Sequence, residues 1–146
     1  MNKAQTPARW LAVMNAHGGR LFEGRRLATG RLHLEERARV VETWEEKQHH
    51  RPYMLSVHGR GSASFAHEDE ERTRRFGKEA AQWLDAQMRQ HALPALTVFC
   101  ANSLLGSLRK ALGPDGLRRI DLQQEDLAWC TPAELVDHPA VEKALP

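Results

Sequence analysis

The second half of the chain alternates helical and strand patterns, and this order constrains the fold more than any other feature. Residues 69–91 predict an amphipathic helix, and the apolar run 96–101 predicts a buried strand. A second helix is expected over 104–112 and a further strand over 117–122. The first helix is indicated by apolar side chains at helical spacing: Phe76, Ala80, Trp83, Leu84 and Met88. This alternation predicts an α/β fold.

The first forty residues predict an antiparallel meander. Short apolar runs at 10–14 and 20–23 are joined by a glycine turn, and residues 32–40 alternate apolar and polar side chains as a half-exposed strand does. Thr131 followed by Pro132 predicts the start of a last helix. The complete order is β-β-β-α-β-α-β-α, which predicts a ribonuclease H-like mixed sheet of about five strands with helices packed on it.

Between the meander and the long helix lies a segment without periodicity. It contains Pro52, Gly59 and Gly61, together with several histidines. Loops longer than about 12–15 residues in compact domains are usually functional or disordered. We therefore expect a mobile loop at about 45–68 within a single domain spanning 1–146.

Composition excludes several classes of protein. The formal net charge is only +2, so charge alone does not predict a polyanionic partner, although most of the 21 basic residues are arginine. No apolar run approaches the roughly 18 residues of a membrane helix, and the first residues do not have the pattern of a signal peptide. Cys100 and Cys130 lie in apolar surroundings, which favours free thiols. We expect a cytoplasmic protein with no membrane contact.

The sequence offers little for catalysis. A ribonuclease H-like nuclease needs several carboxylates near the first strand to hold two metal ions. The first strand ends at Asn15, where such a nuclease needs an acid, and we interpret Asn15 as a turn residue. The histidines around the loop lack the spacing of a zinc site. We expect no catalytic residues, no cofactor and no metal.

Basic residues near the start of the long helix form the candidate binding patch with the preceding loop. The candidate residues are His58, Gly59, Arg60, Gly61, Ser62, Arg72, Arg74, Arg75 and Lys78. As a functional patch, they would contact RNA phosphates. In the alternative interpretation, glutamates neutralise the arginines on a solvated helix face through the i,i+4 pairs Glu68–Arg72, Glu70–Arg74 and Glu71–Arg75.

Four segments together resemble a known family. They read ETWEEKQHHRP at 42–52, HGRGSASFAHEDEERTRRFGKEAAQWL at 58–84, VFCANSLLGSLRKAL at 98–112 and EDLAWCTPAELVDHP at 125–139. This combination is similar to the bacterial host attachment proteins. That family in turn resembles the middle domain of archaeal and eukaryotic peptide release factors, in which a Gly-Gly-Gln loop precedes a long helix. Residues 59–64 occupy the corresponding place here but contain no glutamine.

The resemblance implies a non-catalytic, translation-factor-like domain that binds ribosome or tRNA through the glycine-rich loop. Two alternatives remain open. One is a protein-interaction module involved in attachment to host cells, and the other is a residual hydrolase. For each of these we expect a monomer.

Overall fold

The computed structural model describes residues 9–43 and 61–145. Within these ranges one mixed sheet has the strand order β3-β2-β1-β4-β5. The strands are β1 (Arg9–Asn15), β2 (Gly18–Arg26), β3 (Leu32–Val41), β4 (Leu96–Cys100) and β5 (Ile120–Gln124). The first three pair antiparallel, whereas β4 runs parallel to β1 and β5 parallel to β4. The predicted α/β class with a five-stranded mixed sheet is confirmed, and the arrangement is consistent with a ribonuclease H-like fold.

Helices cover both faces of the sheet. The helices are α1 (Gly61–Gln90), α2 (Asn102–Arg119), α3 (Pro132–Val136) and α4 (Pro139–Ala144). Ala12 and Met14 of the central strand pack in one cluster with apolar residues of α1 and α2. Leu11 and Val13 point to the other face, into a second cluster with residues of α3 and α4. Because β1 is buried on both faces, it reads as a continuous apolar run.

The apolar stripe of α1 is largely confirmed. Phe76, Ala80, Leu84 and Met88 are buried against the sheet and α2, and Trp83 is partly buried at the margin of the cluster. The helix begins at Gly61, however, eight residues before the predicted Asp69. The last part of the expected loop, 61–68, is therefore helical, and residues 45–60 of that loop lie outside the described residues.

A β-bulge in β3 changes which face its apolar residues occupy. The register with β2 shifts between Leu21 and Phe22, so β3 carries one extra residue there. Leu32 and Leu34 consequently pack on the face of the sheet that α3 and α4 cover. In a regular strand, Ala38 and Val40 would lie on that same face, because all four residues have even numbers, but here they pack on the opposite face. Apolar and polar residues alternate along β3 as predicted, but the apolar residues before and after the bulge lie on opposite faces of the sheet.

The end of α2 also differs from the prediction. We expected Gly113-Pro114 to end the helix and a strand to begin at 117. Gly113 has a positive φ of 66° and produces a kink, after which a second helical segment continues to Arg119. The N–H groups in the first turn of a helix have no acceptor within the helix. Proline, which lacks an N–H, is therefore tolerated there, and Pro114 can begin this segment. The fifth strand accordingly starts at Ile120.

Within residues 9–43 and 61–145, no helix combines the length and apolarity needed to cross a membrane.

Candidate functional site: a hollow at the carboxyl edge of the sheet

The three parallel strands end at one edge of the sheet, which we call the carboxyl edge. β1 ends there at Asn15, β4 at Cys100 and β5 at Gln124. In α/β sheets, ligands bind preferentially at this edge. β3 also ends there, since Gly18 pairs with Val41, and the chain leaves the described residues just beyond Thr43. The segment that we predicted to bind a partner therefore starts from this edge.

Asn15 organises the turn between β1 and β2. Its Oδ1 accepts hydrogen bonds from the backbone N–H groups of His17 at 2.8 Å and Gly18 at 3.0 Å. A side chain at Gly18 would place its Cβ 2.6 Å from the carbonyl oxygen of Val40, so only glycine allows β2 and β3 to meet there. The buried amide of Asn15 is thus used in a turn, which agrees with its interpretation as a turn residue.

Arg20 of β2 holds the segment that follows β5. Its Nη2 donates hydrogen bonds to the carbonyl oxygens of Ala128 at 2.7 Å and Cys130 at 2.6 Å. Its guanidinium also lies over the ring of Phe22, 5.1 Å from the centroid. Burial lowers the pKa of Arg20, but the ordinary arginine pKa is so far above neutrality that the group stays charged. The backbone on both sides of Trp129 is therefore fixed by a cation.

Trp129 itself lies between these two anchored carbonyls and is exposed to solvent. Its side chain is 76% exposed, and that of Val41 at the end of β3 is 63% exposed. The two residues line a hollow of about 280 Å³, to which Asn15, His17 and Ala128 also contribute. We call this site the Trp129 hollow. It presents an aromatic and an aliphatic side chain to solvent beside a backbone that is held in place.

The predicted basic patch is brought together only in part. Arg74, Arg75 and Lys78 lie on the side of α1 opposite its buried stripe and are exposed. Arg72 turns instead towards the sheet, 3.9 Å from the carboxylate of Glu42. Gly61 and Ser62 lie in the first turn of α1. His58, Gly59 and Arg60 lie outside the described residues.

The arginines of α1 have acidic neighbours, as the alternative interpretation of the patch expects. Arg75 lies 3.8 Å from Glu71, as predicted. Arg74 pairs with Glu71 too, instead of with Glu70. Arg72 lies 3.8 Å from Asp69 in addition to its contact with Glu42. The exposed pairs contribute little to stability, because solvent screens them.

Two possible sources of chemical reactivity are a metal site and a cysteine at a strand end. No three His, Cys, Asp or Glu side chains of residues 9–43 and 61–145 lie close enough to hold a metal ion. Cys100 is fully buried at the end of β4, and burial raises the pKa of its thiol to about 12. A thiol that stays protonated at neutral pH is not a nucleophile.

Comparison with known proteins identifies the family. A family model described as "Protein required for attachment to host cells" matches residues 10–138. The chain belongs to this family. The matched residues include all five strands except Arg9 of β1, the two long helices and the residues that line the Trp129 hollow. A search of curated proteins finds no match to the chain.

Sequence reasoning did not find the Trp129 hollow. The signal available was an aromatic residue in the short connection between β5 and the capped start of α3. A tryptophan in a connection without apolar periodicity is a candidate for an exposed contact residue, since the pattern assigns it no core face. No comparable local pattern in the sequence indicates that Arg20 anchors the carbonyls of Ala128 and Cys130.

Proposed function

We propose that the chain is a non-catalytic protein-binding domain that supports attachment to host cells, and that it binds its partner at the Trp129 hollow. The observation that carries this proposal is the 76% exposed indole of Trp129 on a backbone fixed by Arg20. Tryptophan is among the residues most enriched at the energetic centres of protein interfaces. Singly exposed apolar residues are normal on a surface, but here Val41 and a preformed hollow adjoin the indole.

Two described positions at the carboxyl edge support binding over catalysis. Asn15 occupies the position where a metal-dependent nuclease needs an acid, and its amide oxygen is already shared between two backbone donors. Cys100, at the end of the neighbouring strand, is buried with a strongly raised pKa. Neither of these two residues is placed to act as a metal ligand or a nucleophile, whereas Trp129 and Val41 offer contact area.

A Trp129→Ala variant tests the proposal, with Leu27→Ala as its matched control. Leu27 is also a large exposed apolar residue, 49% exposed, but it lies in the turn between β2 and β3 and not at the hollow. Surface truncations of this kind change the free energy of unfolding by no more than about 0.5 kcal/mol. In a strain that lacks the chromosomal gene, we expect wild type and Leu27→Ala to restore attachment to host cells and Trp129→Ala to fail. Normal attachment with Trp129→Ala would remove the hollow from the proposal.

A second candidate function is binding to ribosomes or RNA, with the loop residues His58, Gly59, Arg60, Gly61 and Ser62 as candidates. One observation favours it. Arg74, Arg75 and Lys78 share the exposed side of α1, the helix whose first turn contains Gly61 and Ser62. Such a surface contacts phosphates, and its affinity falls as salt is added. The sequence resemblance to the middle domain of peptide release factors is an expectation that belongs to this candidate.

Sucrose-gradient sedimentation of a tagged chain tests the second candidate. At low salt we expect co-sedimentation with ribosomal particles, and we expect the triple change Arg74→Gln, Arg75→Gln and Lys78→Gln to reduce it. If the wild-type chain is absent from every ribosomal fraction, translation-factor-like binding is excluded. Because Trp129 lies elsewhere, the Trp129→Ala variant separates the two candidates: it impairs attachment without changing sedimentation.

A further inference from the structure

A larger cleft lies at the opposite edge of the sheet, where β1, β4 and β5 begin. Its volume is about 760 Å³, within the range of about 300–1,000 Å³ typical of small-molecule sites. Arg9 and Trp10 contribute from the start of β1, and residues 93–97 from the approach to β4. The turn from α2 into β5 supplies the other wall. We call this site the amino-edge cleft.

The charged residues that line the amino-edge cleft are mostly basic. Arg9, Arg109, Arg118 and Arg119 line it, and among the described residues of the lining only Asp121 is acidic. Asp121 already accepts a hydrogen bond from Gln123 at 2.9 Å. The lining residues by themselves thus carry an excess of three positive charges, which favours a ligand with several negative charges over one with a single carboxylate.

Two of these arginines have no acidic partner in the described part of the chain. No ion pair or side-chain hydrogen bond of Arg9 or Arg109 occurs among residues 9–43 and 61–145, and both side chains are exposed. Arg118 and Arg119 do have acidic neighbours, at 3.5 Å from Asp115 and 3.2 Å from Asp85. These pairs are solvent-exposed and therefore weak, so a polyanion can compete for the guanidinium groups.

An apolar wall adjoins the guanidinium groups. Trp10 lies in the cleft, and its indole stacks on the imidazole of His91 with 4.5 Å between ring centroids and an interplanar angle of 31°. Leu117 and Leu122 also line the cleft and add apolar surface. Because His91 fixes the indole, Trp10 is a preformed surface against which a flat organic group can pack.

We propose that the amino-edge cleft binds a nucleoside polyphosphate. Guanidinium groups bind phosphate oxygens in bidentate fashion, and several phosphates in one ligand match the excess of positive charge. The base would pack on the apolar wall at Trp10. This site is separate from the Trp129 hollow, so the two proposals can fail independently.

Isothermal titration of the full chain with ATP, inorganic tripolyphosphate and adenosine tests this proposal. We expect ATP to bind at least tenfold more tightly than either fragment, because only ATP uses both the arginines and the apolar wall. The double change Arg9→Gln and Arg109→Gln should weaken ATP binding at least tenfold. Lys110→Gln is the matched control, since it removes an exposed positive charge next to Arg109 that does not line the cleft. This control should bind ATP as wild type does.

The indole N–H signals in a ¹H–¹⁵N spectrum locate the ligand. We expect ATP to shift the signal of Trp10 and to leave that of Trp129 unchanged. Absence of ATP binding at millimolar concentration, or a shift of Trp129 without Trp10, would overturn the proposal. Equal affinity for tripolyphosphate and ATP would refute the nucleoside part. Equal affinity for hexaglutamate would refute the phosphate part.

Discussion

Replacement of Gly77 by alanine probes the contact between α1 and α2 that places both long helices on one face of the sheet. A Cβ at Gly77 would lie 2.9 Å from the Cβ of Ser107 and 3.0 Å from its carbonyl carbon. Carbon atoms attract each other at about 3.5–4.0 Å, so both approaches are repulsive. One of these atoms belongs to the backbone of α2, and it can move only if the helix moves.

The magnitude follows from two opposing terms. Alanine is favoured over glycine by about 1 kcal/mol in the interior of a helix. Overpacking of a well-packed interior costs about 1–3 kcal/mol. Gly77→Ala should therefore lower the free energy of unfolding by up to about 2 kcal/mol. Gly106→Ala, in α2, has nothing within 4 Å of the added Cβ and should raise it by up to about 1 kcal/mol.

Urea unfolding followed by circular dichroism measures both variants. The difference between them cancels the helix propensity, so it reports the contact with Ser107 alone and should be about 1–3 kcal/mol. An unchanged m-value would show that the variants differ in stability and not in the extent of unfolding. If Gly77→Ala stabilises the chain as much as Gly106→Ala does, α1 and α2 separate at no cost and the argument from close packing is refuted.

Other predictions concern the anchoring cation, the buried carboxylate and the two thiols. Arg20→Ala should lower the free energy of unfolding by about 1.5–3 kcal/mol in urea unfolding, because hydrogen bonds from a charged donor to two carbonyls are lost; an unchanged stability would show that these bonds contribute nothing. Burial alone would raise the pKa of Glu23, but hydrogen bonds from Arg37 and Arg25 outweigh it and lower the pKa. The stabilisation from ionised Glu23 is thus present above the pKa of the unfolded state and is lost on acidification. The difference in free energy of unfolding between wild type and Glu23→Gln should therefore disappear as the pH falls below about 4. A difference independent of pH would show that ionised Glu23 is not stabilised by these arginines. Native protein should expose only Cys130 to a thiol reagent, and Cys100 should react only on unfolding; reaction of both thiols before unfolding would contradict the burial of Cys100.

Elements governed by local periodicity were predictable from the sequence. The residues of β1 and of the stripe Phe76–Met88 of α1 are apolar because they are buried. The spacing of these apolar residues along the sequence therefore identifies the strand and the helix. The bulge in β3 is different. A single extra residue opposite the junction of Leu21 and Phe22 reverses the faces of the residues that follow, and no side chain type marks it.

Boundaries set by glycine and proline were predicted least well. Gly61 begins a helix and Gly113 connects two helical segments, although both residues commonly end helices. Glycine only permits an unusual backbone, and whether the chain continues as a helix depends on what the next turn can bury. Beyond Gly113, Gly116 is buried within the second segment, and the buried Ile120 begins β5 directly after it.

The Trp129 hollow depends on contacts that no local pattern contains. Arg20 meets the carbonyls of Ala128 and Cys130 across 108 and 110 residues of sequence. An arginine in a strand is ordinarily read as a solvent-facing residue. Its anchoring role appears only once β2 and the end of the chain are brought together in the fold.

The exposure of Trp129 is not a failure of packing. On its amino-terminal side, Arg20 fixes the backbone of Ala128. On its carboxyl-terminal side, Thr131 and Glu134 form a reciprocal capping box, with the Glu134 N–H donating to the Thr131 hydroxyl at 3.1 Å and the Thr131 N–H to the Glu134 carboxylate at 2.8 Å. A loosely held loop could fold its indole onto the protein and gain the free energy of burying an aromatic ring. A backbone held at both ends limits such a movement, so for the binding that we propose at the Trp129 hollow, part of the ordering cost has already been met in folding.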